Sequence, residues 1–264
     1  MSLHTASTAS FASPSGPADA RPLAGKVAVV TAASRGIGRG IAERLGAGGA
    51  DVVVNWHTSE TAAAEVVAGI ESSGSRAVAV QADLGAPGAV DRIFDRAVDE
   101  FGAVDILVNN AGISLSAPTA DLDESDLDRL LAVNVKGSFR AMQLAARHLR
   151  DGGRVVNIST GYTRSAYPNV GAYAGTKAAV EQMGLSLAKE LAPRGITVNA
   201  VLPGLVDTDG ISPDVRLRID EFVAMTPLGR LGRPEDIADI VAFLVSDHAR
   251  WVTGQAIVAA GGLV

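Results

Sequence analysis

"KVAVVTAASRGIGRG", residues 26–40, decides the fold. The unbroken Val/Ala run reads as a strand buried on both faces, because a strand with one wet face would alternate polar and apolar residues. The glycines that follow open a segment of helical period, so the stretch is strand, tight turn and helix. Gly36 and Gly38 would let the backbone approach a pyrophosphate at the helix N-terminus, where unpaired N–H groups favour negative charge. Thr31, Ser34, Arg35 and Ile37 complete this first set of expected nucleotide contacts.

Outward from that turn the alternation repeats. Strands are expected at 26–31, 51–55, 76–81, 105–110, 154–159, 196–201 and 256–260, with helices near 37–48, 60–73, 87–101, 123–149, 172–193 and 234–246. Successive β-α-β crossovers are right-handed and build a parallel sheet with helices on both faces. The expected fold is therefore α/β: a Rossmann-like, doubly wound, parallel seven-stranded sheet. No linker or shift in composition follows Gly25, so residues 23–264 read as one domain. The Gly-, Pro- and charge-bearing stretch 205–233 interrupts the alternation and is expected to form a lid. Residues 1–22 are rich in Ser, Ala, Thr and Pro and lack a basic start with an apolar run, which predicts a disordered tail and not a signal peptide.

Composition removes whole classes of function. The net charge of −6 leaves no basic footprint for nucleic acid. The absence of cysteine excludes disulfides, thiolate zinc sites and a thiol nucleophile, and it fits a cytoplasmic setting. The four histidines are scattered without metal-ligand spacing, so no metal is expected. No stretch is long and apolar enough to span a membrane.

In folds of this type ligands sit beyond the carboxyl ends of the strands. An acidic residue ending the second strand would bond a ribose 2′-hydroxyl and repel a 2′-phosphate. Here that end reads Asn55, Trp56, His57, Thr58 and Ser59, and no carboxylate appears before Glu60. Arg35 could pair with a 2′-phosphate while Thr58 and Ser59 donate hydrogen bonds to it. The expected cofactor is NADP(H).

Further along, Tyr173 and Lys177 stand four residues apart where a helix begins, so both address one spot. A cation beside a phenol favours the phenolate, which would lower a pKa ordinarily near 10 and make Tyr173 a proton donor or acceptor. A bare Tyr-x-x-x-Lys is more often a core tyrosine with a solvated lysine, and it acquires meaning only from the nucleotide loop upstream.

Taken together, the motifs resemble the short-chain dehydrogenase/reductase family. They are "TAASRGIG" at 31–38, an acid at Asp83, "NNAG" at 109–112, "NVKG" at 134–137, "YAGTK" at 173–177 and "PGLVDT" at 203–208. The resemblance covers about residues 23–264, and "VNWHTSET" is similar to the run found in NADPH-using ketone reductases, including hydroxynaphthalene reductases. It implies that Tyr173 is the general acid and that Lys177 lowers its pKa and holds the nicotinamide ribose. It implies that Asn134 seats a relay water and that Thr160 bonds the substrate oxygen. Asp83 and Leu84 would meet the adenine, and Asn109, Ala111 and Gly112 the adenosine side. Pro203, Gly204, Val206 and Thr208 would lie at the carboxamide and phosphates. Members of the family are commonly homotetramers, which places the 123–149 and 172–193 helices at the main contact.

Three positions depart from the family pattern. Ala32 replaces the usual first glycine, and a methyl group is unstrained there only at negative φ. "VAAGG" at 258–262 lacks an acid before the paired glycines. Thr160, 13 residues before Tyr173, stands where serine is usual, with Ser159 as its neighbour. The reading is an NADP(H)-dependent oxidoreductase interconverting a ketone and a secondary alcohol, working as a reductase on a small molecule. A catalytically silent NADP-binding sensor is the alternative from another class, and the full set of Asn134, Thr160, Tyr173 and Lys177 argues against it. An epimerase/dehydratase would show a different glycine spacing, and a cofactor-free dehalogenase would replace Lys177 by arginine. Tyr162, Tyr167, Pro168 and the 205–226 segment with Met225 either shape the substrate pocket or pack loops.

Overall fold

A computed structural model describes residues 21–264; residues 1–20, which hold most of the expected tail, lie outside the described residues. Arg21 is already bound to the body of the fold, since Nη2 donates to the Gly74 carbonyl at 3.0 Å and to Ser75 Oγ at 2.7 Å. Packed structure therefore already includes Arg21, two residues before the boundary expected at 23.

Seven parallel strands form one sheet in the order β3-β2-β1-β4-β5-β6-β7. They are β1 (Val27–Val30), β2 (Asp51–Trp56), β3 (Ala77–Gln81), β4 (Val104–Asn109), β5 (Leu149–Ile158), β6 (Thr197–Pro203) and β7 (Ala256–Ala259). Helices α1 (Gly36–Ala47), α2 (Glu60–Ser72) and α9 (Pro234–Val245) cover one face; α3 (Ala89–Phe101), α5 (Ser138–His148) and α6 (Gly171–Leu191) cover the other. Ala28 and Val30 point into the first core, whereas Val29 between them points into the second. Burial of both faces is why these strands read as unbroken apolar runs.

The order in which strands are added reverses between β1 and β4, which lie side by side and parallel, so a crevice opens beyond their carboxyl ends. Two segments differ from the sequence expectation. The helix expected over 123–149 is α4 (Glu124–Leu130), a π turn (Leu131–Gly137) and then α5. Such wide turns are rare and concentrate at functional sites; this one carries Asn134. The 205–233 stretch holds two short helices, α7 (Pro213–Arg216) and α8 (Ile219–Met225), tied down where Val206 bridges Gly232.

Candidate active site

The crevice is lined on one side by Ser34 and Arg35, at the start of α1, and by Asn55 to Ser59 at the end of β2. Asp83, Leu84, Ala111 and Gly112 line the other side. Arg35 is exposed, extends from the N-cap of α1, and has no ion pair among the described residues. Gly36 has φ +54, and a β-carbon there would lie 3.3 Å from Thr208 Cγ2. Thr208 thus reaches back from the loop after β6 to the first turn of α1, where its carbonyl is fixed by Arg216 Nη2 at 2.9 Å.

Several of the expected contact residues have a part in the scaffold. A β-carbon on Gly38 would sit 2.2 Å from the Ala32 carbonyl and 2.5 Å from Asn110 Nδ2, so this glycine allows α1 to pack on the loops. Ile37 packs against the core. Thr31 Oγ1 donates to the Val108 carbonyl at 3.3 Å and accepts from the N–H groups of Asn110 and Ala111 at 2.9 Å, which staples the ends of β1 and β4 together. Asn109 is buried away from the crevice, donating to Asn157 Oδ1 at 2.9 Å, because its place on β4 turns it toward β5 and α5. Pro203 ends β6, and the residues after it are closely packed. A β-carbon on Gly204 would meet Ala260 at 3.0 Å, and Val206 is part of the core.

Ala32 has φ +50, the conformation in which its methyl group is strained. Asn55 and Asn110 hold it there: Asn55 Oδ1 accepts from Ala32 N at 2.9 Å and Asn110 Nδ2 donates to the Ala32 carbonyl at 3.1 Å. The remaining donor capacity of Asn55 goes to carbonyls of β2 and its surroundings, including Ala82 at 3.1 Å. Although Asn55 lines the crevice, its amide is committed to shaping the turn.

At the other end of the site, Tyr173 occupies the first turn of α6 and Lys177 the next. Lys177 is buried, and Nζ donates to the Ile158 carbonyl at 2.9 Å. Desolvation pushes its amine down to about 8. Tyr173 is partly exposed, yet burial pushes its phenol up to about 12, while a side-chain hydrogen bond with Thr160 pulls the other way. This corrects the expectation of a phenol lowered by Lys177: desolvation dominates, and the opposing group is Thr160.

The neighbouring hydroxyls go to different places. Thr160 Oγ1 accepts from Tyr162 N at 3.3 Å and stands near enough to the Tyr173 phenol to draw its pKa down. Ser159 Oγ donates to Glu181 Oε1. Asn134 is fully buried in the π turn; its Oδ1 accepts from Ile113 N at 2.9 Å, and Nδ2 donates to the Ile113 carbonyl at 2.9 Å and to Thr176 Oγ1 at 3.0 Å. Both amide protons are thus committed. The side chain clamps the loop after β4 to α6.

Beside the tyrosine lies a row of rings. Tyr162 and Tyr167 have centroids 5.7 Å apart, and Tyr167 and Phe222 of α8 6.3 Å apart. Arg129 is a crevice residue absent from the sequence reading. It grips Asp83 with both terminal nitrogens, at 3.0 and 3.1 Å, from a helix 46 positions away, a separation no local motif encodes. His57 stands 4.0 Å from the same carboxylate.

A phenol paired with a fixed hydroxyl and a buried amine, at the mouth of a nucleotide crevice, is the equipment of an oxidoreductase acting on a carbonyl or alcohol. Comparison with known proteins agrees. Residues 31–264 match the family of enoyl-(acyl carrier protein) reductases. An uncharacterised oxidoreductase of Methylorubrum extorquens is 46% identical over 91% of this chain and 98% of its own length. The hydroxynaphthalene reductase-like protein Arp2 of Metarhizium brunneum is 44% identical over 92% of this chain and 97% of its own. The solved structure of the angucycline C-6 ketoreductase LanV with bound NADP has a TM-score of 0.87 at 44% identity, covering 92% of this chain and 96% of that one. The chain belongs to the short-chain dehydrogenase/reductase family.

Proposed function

We propose that this protein is an NADP(H)-dependent ketoreductase, a single domain over residues 23–264. The observation that carries this reading is the convergence of Thr160 and Tyr173 at a crevice whose β2 end has no acid. The residues present fit the cofactor. Unpaired Arg35, with Thr58 and Ser59 beside it, offers charge-assisted bonds to a 2′-phosphate. The first turn of α1, at positive φ on Gly36, offers backbone N–H groups to a pyrophosphate. Asp83, Leu84, Ala111 and Gly112 would border the adenosine, Lys177 the nicotinamide ribose, and Val206 and Thr208 the far phosphates and carboxamide.

When bound, the cofactor supplies the hydride. Thr160 holds the carbonyl oxygen by donating to it as negative charge develops. Tyr173 delivers the proton to that oxygen. A phenol at about 12 carries its proton throughout the neutral range, which suits reduction. Asn134 keeps the loop after β4 and the first turns of α6 in register, so that Lys177 and Tyr173 face the same spot.

The substrate we favour is a ketone on a fused-ring framework. The Tyr162–Tyr167–Phe222 row supplies aromatic faces beside Tyr173, and the names of two relatives refer to hydroxynaphthalene and angucycline compounds. We also propose a homotetramer assembled through the α4–α5 region and α6, whose exposed Leu131, Phe139 and Leu185 would be covered. A cytoplasmic setting accords with a chain lacking cysteine. The test is loss of NADPH absorbance with fused-ring ketones such as 2-tetralone, run beside NADH. Turnover with a marked NADPH preference is expected; NADPH binding with no ketone reduced across a broad panel would overturn the reading.

A further inference from the structure

Glu181 lies at i+8 from Tyr173 and i+4 from Lys177, on the same face of α6. Its side chain is only 10% exposed, an unusual place for a carboxylate outside the reacting pair. It accepts from Ser159 Oγ at one oxygen and from Arg164 Nη2, at 2.6 Å, at the other. From Arg164 the bonds continue: Nη1 donates to Thr163 Oγ1 at 3.0 Å, and Thr163 Oγ1 donates to the Thr160 carbonyl at 3.0 Å. Ser159 and Arg164 flank the short turn that carries Thr160. One carboxylate on the rigid helix α6 therefore grips both sides of that turn.

We propose that Glu181 is a positioning residue, which through Ser159 and Arg164 fixes the Thr160 hydroxyl against Tyr173. An ion pair with a half-exposed arginine adds little to stability, and burying a carboxylate costs desolvation. What the arrangement does secure is geometry. The backbone at Thr160 is extended and leaves β5, and between Arg164 and Asn169 the chain is exposed apart from Tyr167. Without Glu181, the turn keeps its internal bonds but loses the anchor that holds Ser159 and Arg164 to α6. Displacement by about 1 Å of a group that meets the reacting oxygen can cost roughly 10²-fold in rate.

This inference rests on the pairing of Thr160 with Tyr173, so the test reads that pairing itself. The chain has three tyrosines, so protein labelled with 3-fluorotyrosine gives three ¹⁹F resonances, and Tyr173→Phe assigns the one of interest. Thr160→Ala should move the Tyr173 resonance at neutral pH, because it removes the hydroxyl beside the phenol. Glu181→Gln and Arg164→Gln should each move it part of the way, and the double variant no further than the larger single, because both cut one chain. NADPH affinity, read by its fluorescence, should be unchanged in both, since neither residue lines the crevice. Arg164→Gln, on a half-exposed side chain, keeps the test informative if Glu181→Gln folds poorly. A Tyr173 resonance that moves in Thr160→Ala but stays at the parent position in Glu181→Gln and Arg164→Gln overturns the positioning role. Additive shifts in the double variant would do the same. A resonance unmoved in Thr160→Ala overturns the underlying pairing instead.

Discussion

The amine of Lys177 lies 2.8 Å from the point where a β-carbon on Gly112 would be. A side chain at this position would press on Lys177, a buried neighbour deep in the site. Gly112→Ala is expected to displace Lys177 and reduce kcat/KM by about 10²-fold, as misplacements near 1 Å do. Steady-state kinetics on a reducible ketone checks this, and near-parental activity would contradict it.

Lys177 also sets a pH dependence of stability. Its folded pKa is about 8 against an ordinary 10.5. Between those values the unfolded chain holds a proton that the folded chain lacks, so this contribution rises with pH through that window. Below it the buried ammonium costs on the order of 3 kcal/mol. Tyr173 acts in the opposite sense: its phenol is pushed from 10 up to about 12, so the folded chain retains a proton that the unfolded one loses, and stability falls across that range. Lys177→Met should therefore raise the Tm of the cofactor-free protein at neutral pH and flatten its increase above pH 8. Parallel Tm-against-pH curves for the two proteins would contradict the assignment.

Ala32 offers a gain in stability without a change in chemistry. Its φ of +50 strains a residue that bears a β-carbon. Ala32→Gly should stabilise by about 0.5–1 kcal/mol, since relief of strain exceeds the added freedom of the unfolded chain. For a domain of this size that is roughly 2 °C in Tm. A lower Tm in this variant would contradict it.

Cofactor choice should depend on Arg35. Arg35→Ala should weaken NADPH binding by about tenfold or more, the worth of a charge-assisted bond, and leave NADH nearly unchanged. Installing an acid by Trp56→Asp is a poorer test, because Trp56 is buried in the core and its loss would unfold as well as re-specify. Equal losses for both cofactors in Arg35→Ala, measured by fluorescence titration, would contradict the 2′-phosphate role.

The buried parallel strands and the tyrosine–lysine pair were legible because both follow from local periodicity: buried parallel strands leave unbroken Val runs, and i,i+4 residues share a helix face. The π turn was not legible. The apolar pattern of 123–149 continues through it, and distant contacts impose it: the Asn134 amide closes on Ile113, and Gly137 fits where a β-carbon would be 2.8 Å from the Leu84 carbonyl. Thr31, Asn55 and Asn109 stand where ligand contacts were expected, yet they spend their bonds on the scaffold, a difference set by where each side chain turns. Arg129 and Glu181 were invisible for the same reason, since their partners lie far off in the chain. The direction of the Tyr173 shift was missed because spacing gives proximity to a charge but not the burial that outweighs it.

Tyr173→Phe tests the central claim most directly. The change removes the transferable proton and keeps the ring. NADPH should bind with its parental Kd, while turnover of a ketone reduced by the unmodified protein should fall by about 10²–10⁴-fold, the usual worth of a general acid. Retention of most of the kcat by Tyr173→Phe would contradict the account.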